Sequence, residues 1–468
     1  MNSNDWIELA QSELRHLQVD DAEHIGLAVP DGKFSPVIGY PPLTMYGPMD
    51  DAPLFENVTT RTVYPMAAYV HIPFCPSRCT FCHWITKTKS RSDEVDTYLD
   101  YLEREMVLYK NKLGVAAIPV RSVLIGGGTP TYLSPRQMER FMRAFTTHFD
   151  LSACTQFSVE PEPTTILGDE GLEKLRIMKD YGVTRMSMGV QSFDDRILAH
   201  MGRVHTRADI LTAVEQMRRV GFESVMIDLI YGYPDQSVEQ WIDTLQTALT
   251  LNIDGWQLYR LRIKAHGDRP GNIIKIYNKR QERFPEIDKI RIMKMLGIVM
   301  SERNGYHEYQ TRCFTKSSKD MSHYLRDWCC NLTDVAGVGV SSWSNVRGVF
   351  TLNAGDDSLQ RYYQLIDAGK VSVDRGKVRT TEDERRRSFI LPLKNARVFK
   401  QAFRERTGMD ASACFAAEIQ WAIDHGLIEE DEQSIGLTPR GRFFADEVSM
   451  RFFESCYLPK AGLGTVSP

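Results

Sequence analysis

Between residues 64 and 345, short apolar runs alternate with amphipathic segments. The runs at 66–72, 120–125, 156–160, 185–190, 224–229 and 255–261 have the length and apolar density of buried strands. Helical spacing fills the intervals. The segment 93–113 carries Val95, Leu99, Leu102 and Met106 along one side. The segment 134–149 opens on a serine cap with Pro135 in its first turn. The segments 169–181 and 207–221 stop at Gly182 and Gly221, and 237–251 ends the series. This rhythm predicts an α/β fold, a parallel sheet with helical crossovers.

The flanks differ from this core. Residues 1–63 read as a leader that wraps the barrel-forming part, with a short helix over 5–18 and a proline-broken stretch over 40–49. Residues 265–330 look helical and linker-like, and 346–379 read as a connector. Over 380–457, helices at 381–392, 411–425 and 439–453 frame a hairpin of 427–430 with 434–438, which predicts a winged-helix-like domain. Residues 458–468 read as a tail. Glu429, Glu430, Asp431 and Glu432 make the wing acidic, so it would repel a phosphate backbone.

Composition narrows the class. The chain has 468 residues, 42% hydrophobic and 25% charged, with a net charge of −4. That is an ordinary globular balance without general attraction to nucleic acid or anionic membranes. No apolar run approaches the ~18 residues of a membrane span, and the first residues lack a secretory apolar core. A cytoplasmic monomer is expected. Nine cysteines in a chain this long are not a disulfide framework. Cys154, Cys313, Cys329, Cys330, Cys414 and Cys456 read as reduced structural thiols, with the adjacent Cys329 and Cys330 the pair to watch near a substrate.

The other three, Cys75, Cys79 and Cys82, share one loop after the first predicted strand, between Pro73, Pro76 and the run that follows. Four-iron clusters usually take four protein thiolates. Three leave one iron open for a small molecule, as an open position does on catalytic zinc. The other reading of such a loop is a zinc knuckle completed by a distant Cys or His.

The run Tyr69-Val70-His71-Ile72-Pro73-Phe74-Cys75, with the cysteine spacing, resembles the signature of the radical S-adenosylmethionine (SAM) superfamily. It is most similar to the branch typified by oxygen-independent coproporphyrinogen III oxidase. Gly126-Gly127-Gly128-Thr129-Pro130-Thr131, Ser158-Val159-Glu160-Pro161 and Met188-Gly189-Val190-Gln191-Ser192-Phe193 follow in the family's order, then Ile227 to Gly232 and Gly337 to Ser341. The resemblance implies a partial (β/α)6 TIM-like barrel and a 4Fe–4S cluster on Cys75, Cys79 and Cys82. It implies SAM at the open iron, cleaved to a 5′-deoxyadenosyl radical with an electron from a partner such as flavodoxin or ferredoxin. Tyr69 and Glu160 would contact this first SAM. Phe81, Gly127, Gly128, Thr129, Gln191, Arg203 and Asp228 match positions that hold a second SAM. In such barrels the chemistry sits at the C-terminal strand ends. Cys75, Gly126, Glu160, Gln191 and Asp228 do fall at or just after predicted strand ends.

Three positions depart from the family pattern. Arginine, in the stretch Leu258 to Arg262, stands near a small family residue, and Trp343 replaces an aliphatic one. Trp84 stands where coproporphyrinogen oxidases carry a fourth cysteine. This last change directs the expectation to the class C methyltransferases and cyclopropanases on the same scaffold. They transfer a one-carbon unit from the second SAM to an sp2 carbon of a small-molecule substrate. His83 and Tyr231, with Tyr132 and Tyr233, are then the candidate general bases. The alternatives are a coproporphyrinogen-oxidase-like or haem-modifying enzyme, and a non-enzymatic haem chaperone.

Overall fold

The computed structural model describes residues 1–22, 24–27, 37, 39–56, 63–263 and 271–458. The expected tail over 458–468, apart from residue 458, and parts of the leader therefore lie outside the described residues. Six parallel strands form the centre: β1 (Met66–Ile72), β2 (Ile118–Gly127), β3 (Gln156–Val159), β4 (Arg185–Gln191), β5 (Ser224–Tyr231) and β6 (Gly255–Arg260). They stand in chain order, each parallel to the next. The returns are helices Ser92–Leu113, Pro135–His148, Gly168–Asp180, Arg207–Val220 and Val238–Leu249. Every residue of β1 except Tyr69 is buried, as parallel strands covered on both faces require. The cap predicted at Ser134 is present. Ser134 and Gln137, Thr206 and Asp209, and Ser237 and Gln240 form reciprocal capping boxes.

The barrel is open. Beyond β6 the sheet continues antiparallel into β8 (Cys313–Thr315) and β7 (His307–Gln310). Beyond β1 it continues through β9 (Val335–Val338), parallel to β1, and then antiparallel through β10 (Trp343–Val346), β11 (Val349–Asn353) and β12 (Val373–Val378). The stretch 346–379 thus contributes two sheet-edge strands, joined by helix Gln360–Asp367. The alternation was hard to read because β12 is Val-Asp-Arg-Gly-Lys-Val, with half its positions polar. Nor is 318–325 a linker. It packs across the N-terminal end of the barrel, where Gln156 donates to Met321 O at 3.0 Å and Arg185 Nε donates to Asp320 O at 3.2 Å.

The C-terminal part contains the expected hairpin, Ile428–Glu430 with Ser434–Leu437, and adds a third strand, Arg397–Phe399. The helix expected over 411–425 breaks at Phe415, whose φ of −126° and ψ of 31° leave the helical region. Its ring packs against Phe389 and Phe452 instead, so core packing overrides local propensity.

One buried carboxylate ties this domain to everything else. Asp446 lies 2.7 Å from Lys394 Nζ, accepts from the backbone N–H of Val37 at 2.8 Å and pairs with Arg312. Arg312 occupies the turn between β7 and β8, Lys394 ends helix Thr381–Asn395, and Val37 belongs to the leader. The leader helix Ser3–His16 packs on helix Ile287–Arg303, and Gly47 and Pro48 pair with β12. No helix among the described residues is long and apolar enough to cross a membrane.

Candidate functional site

The three cysteines follow β1 at the C-terminal mouth of the barrel. Backbone bonds fix their loop on several sides. Gly128 N donates to Ile72 O at 2.8 Å, Thr129 N to Phe74 O at 2.7 Å, and Thr80 N to Met201 O at 2.9 Å. Ser77 Oγ donates to Gly202 O at 2.8 Å. Cys75 and Cys79 are buried and Cys82 is half-buried; all are free thiols. Burial pushes the Cys75 thiol up to about 12, and the neighbouring Cys82 and Cys79 add to the rise. Among the described residues, no three Cys, His, Asp or Glu side chains are gathered tightly enough to hold one metal ion. In a four-iron cluster each thiolate serves a different iron, so three neighbouring thiols on one loop fit that group. Two donors already face them: Thr129 Oγ1 is 3.4 Å from Cys75 Sγ, and Arg203 Nη1 is 3.4 Å from Cys79 Sγ.

The glycine triplet has a steric reason. A Cβ at Gly128 would lie 2.8 Å from the Phe74 carbonyl oxygen, and one at Gly126 would lie 2.3 Å from Glu160 Oε2. Gly127 has φ +106°, and its Cβ would meet the His71 ring at 2.6 Å. Gly128 therefore packs against the start of the cluster loop, Gly127 against His71 of β1 and Gly126 against Glu160. Gly127→Ala is expected to cost about 2–4 kcal/mol, from left-handed backbone strain and overpacking together. Urea unfolding measures the loss, and iron content after reconstitution should fall with it.

Inside the barrel, Glu160 and Asp228 face each other across a scarcity of cations. Burial and then Asp228 push the Glu160 carboxyl up to about 8. Burial alone pushes Asp228 up to about 6, against Arg185, Ser187 and Gln257, which lower it. Ser187 Oγ is 3.4 Å and Gln257 Nε2 3.3 Å from Asp228 Oδ1, and Tyr259 donates to Gln257 Oε1 at 2.7 Å. Two buried carboxyls short of positive charge suit a cationic ligand. Both folded pKa values lie above the unfolded ones of 4.5 and 3.8. The folded state therefore holds extra protons, and their contribution to stability is lost as pH rises toward 8. In the absence of SAM, Glu160→Gln is expected to flatten this decline between about pH 5 and 8; melting temperature against pH reads it.

Gln191 sits at φ +70° where the β4–β5 register shifts, a strained conformation of the kind found at functional sites. Arg203 is held by Gly189 O at 2.5 Å and lies 3.6 Å from Glu162. Glu162 in turn bonds His205 at 2.7 Å. Sequence reasoning missed Arg185, Glu162, His205, Gln257 and Tyr259. Glu162 is two residues past Glu160, and Gln257 and Tyr259 share the inward alternation of β6, so that signal was present. Tyr69 bonds the His71 ring at 3.2 Å, and Phe81 packs in a small apolar cluster with Met201, Ile230 and Tyr233.

The candidate bases each make packing or hydrogen-bond contacts. Tyr231 packs against Trp241, with ring centroids 5.5 Å apart and the planes tilted by 43°. It is three residues beyond Asp228 and so points to the opposite sheet face. Burial also raises its hydroxyl to about 12. His83 Nδ1 accepts from Gly271 N at 3.0 Å, bracing a loop. Tyr132 and Tyr233 bond the carbonyls of Ser90 and His200.

Comparison with known proteins agrees with this geometry. Residues 69–248 match the radical SAM superfamily profile and residues 380–444 the HemN C-terminal domain. The haem chaperone HemW of Bacillus subtilis is 33% identical over 390 residues, covering 82% of this chain and 97% of its own. The oxygen-independent coproporphyrinogen III oxidase of Escherichia coli is 28% identical over 402 residues, covering 83% and 85%. The solved structure of coproporphyrinogen III oxidase (HemN) from Escherichia coli superposes with a TM-score of 0.76 at 26% identity, over 88% of this chain and 96% of that one. These relatives overturn the expectation of one-carbon transfer. It rested on the residues matched to a second SAM together with Trp84, and similarity along most of the chain outweighs both. The chain belongs to the radical SAM superfamily, in the branch that contains the oxygen-independent coproporphyrinogen III oxidases and the HemW haem chaperones.

Proposed function

We propose that this protein binds a tetrapyrrole, haem or a close precursor, on the open side of its barrel beneath the C-terminal domain, and that it acts as a haem chaperone. The observation that carries this reading is the chemistry of that opening. Tyr69, Tyr324 and Trp343 form a run of rings 6.1 Å apart at each step. On the β6 side stand Arg262 and Arg312. Burial and then the like charge of Arg312 hold the Arg262 guanidinium down to about 10. A flat apolar macrocycle with carboxylate arms is complementary to such a run of rings beside the under-neutralised guanidinium of Arg262. The cluster and SAM, when bound, supply radical chemistry; the chain's own residues orient them and keep water out.

Trp84 favours the chaperone over the oxidase, since by family resemblance a cysteine belongs there in the oxidases. Its indole is 39% exposed beside the cluster loop. The second reading is oxidative decarboxylation of coproporphyrinogen III, favoured by the full-length likeness to the Escherichia coli oxidase. Anaerobic turnover with SAM, reductant and coproporphyrinogen III separates the two. The chaperone reading expects no carbon dioxide above background. Stoichiometric release would replace it with the oxidase.

A further inference from the structure

A second cationic cluster lies where helix Thr381–Asn395 meets the sheet edge. The side chains of Arg379 and Arg387 are 1% and 2% exposed. They share one carboxylate: Arg379 Nε bonds Glu384 Oε1, and Arg387 Nη1 lies 3.8 Å from Oε2. The guanidinium of Arg387 also covers the Trp328 ring at 4.8 Å. Among the described residues, Arg379 Nη1 and Arg387 Nε and Nη2 have no hydrogen-bond partner. Asp334, Arg347 and Arg406 complete the surroundings. Arg347 N donates to Asp334 Oδ1 at 3.1 Å. Arg406 donates to Asn331 O at 2.9 Å.

Four guanidiniums around two carboxylates leave positive charge in excess. Burial, and then Arg379, hold Arg387 down to about 9. Buried donors without acceptors are uncommon because each carries its full desolvation cost. Glu384 is one-third exposed and marks a way in. The planar fork of arginine suits two-point binding of a carboxylate or phosphate.

We infer that Arg379 and Arg387 form a second ligand site, which takes a carboxylate or phosphate oxoanion entering beside Glu384. Neither arginine is among the residues that the family resemblance assigns to SAM. It holds with or without the tetrapyrrole reading; only the identity of the anion as a tetrapyrrole carboxylate rests on that reading. Glu384 now occupies part of the space and competes with the ligand.

The test is the melting temperature of the full-length, cluster-reconstituted protein in sodium phosphate against sodium chloride at equal ionic strength. Wild type should show a saturable rise with phosphate alone. Glu384→Gln should be less stable in chloride, recover in phosphate and bind it about tenfold more tightly, as removal of a competing charge-assisted bond predicts. Arg387→Ala should lose the response, and if it fails to fold the Glu384→Gln arm still decides. Coproporphyrin III added to the phosphate titration identifies the occupant: competition assigns its carboxylate, and additivity assigns a free oxoanion. Equal responses to phosphate and chloride in both wild type and Glu384→Gln would overturn the site. The phosphate arm contains no tetrapyrrole, so its failure leaves the proposed function standing.

Discussion

Cys82→Ala is expected to leave a folded protein that cleaves SAM more than about 100-fold slower than wild type. Loss of partners that only orient metal ligands already costs 10–100-fold, and this change removes a ligand. Cys82 is the cleanest of the three because it is half-buried, whereas Cys75 is buried against Phe74 and Thr129 on the sheet side of the loop. Cys75→Ala would mix cluster loss with a packing defect. Iron and sulfide content after anaerobic reconstitution reads the effect directly. Cys414→Ala, distant in the C-terminal domain, should retain both in full. Equal iron content in Cys82→Ala and wild type would show that the loop is not the cluster site.

Asp446→Asn is expected to cost about 3–5 kcal/mol, the usual penalty for breaking a buried ion pair and leaving the partner charge uncompensated. Two cations depend on Asp446. Its loss would leave Lys394 and Arg312 facing each other across the seam between barrel and C-terminal domain. These cations hold the Asp446 carboxyl well below its ordinary value despite burial. Its stabilisation is therefore present above the unfolded pKa of 3.8 and lost as pH falls through it and below. Glu160 works in the opposite direction, losing its contribution as pH rises. Urea unfolding of Asp446→Asn at neutral pH tests the size. A loss under about 1 kcal/mol would mean that the seam is held by apolar packing alone.

The repeating barrel was legible because each unit states its structure locally. Val120, Val123 and Ile125 are buried where the apolar run placed them, and Ser134 caps its helix where its hydroxyl predicted. The sheet edges were less legible. β10 to β12 are stabilised by pairing with β9 and the leader, a long-range fact without a local signal. The cysteine loop was legible as a site, while the reaction was not, since Trp84 alone cannot define a substrate. The charges around Asp446 and Glu384 were illegible for a simple reason. Arg312 and Asp446 are 134 positions apart in the chain, and nothing in either neighbourhood marks the other.

The most direct test of the account is a haem titration of the anaerobically reconstituted full-length protein, followed by its visible absorption. The account predicts a saturable spectral change at one haem per chain, retained through gel filtration and weakened by Arg262→Ala. A spectrum identical to that of free haem at every ratio, with no retention on the column, would contradict it.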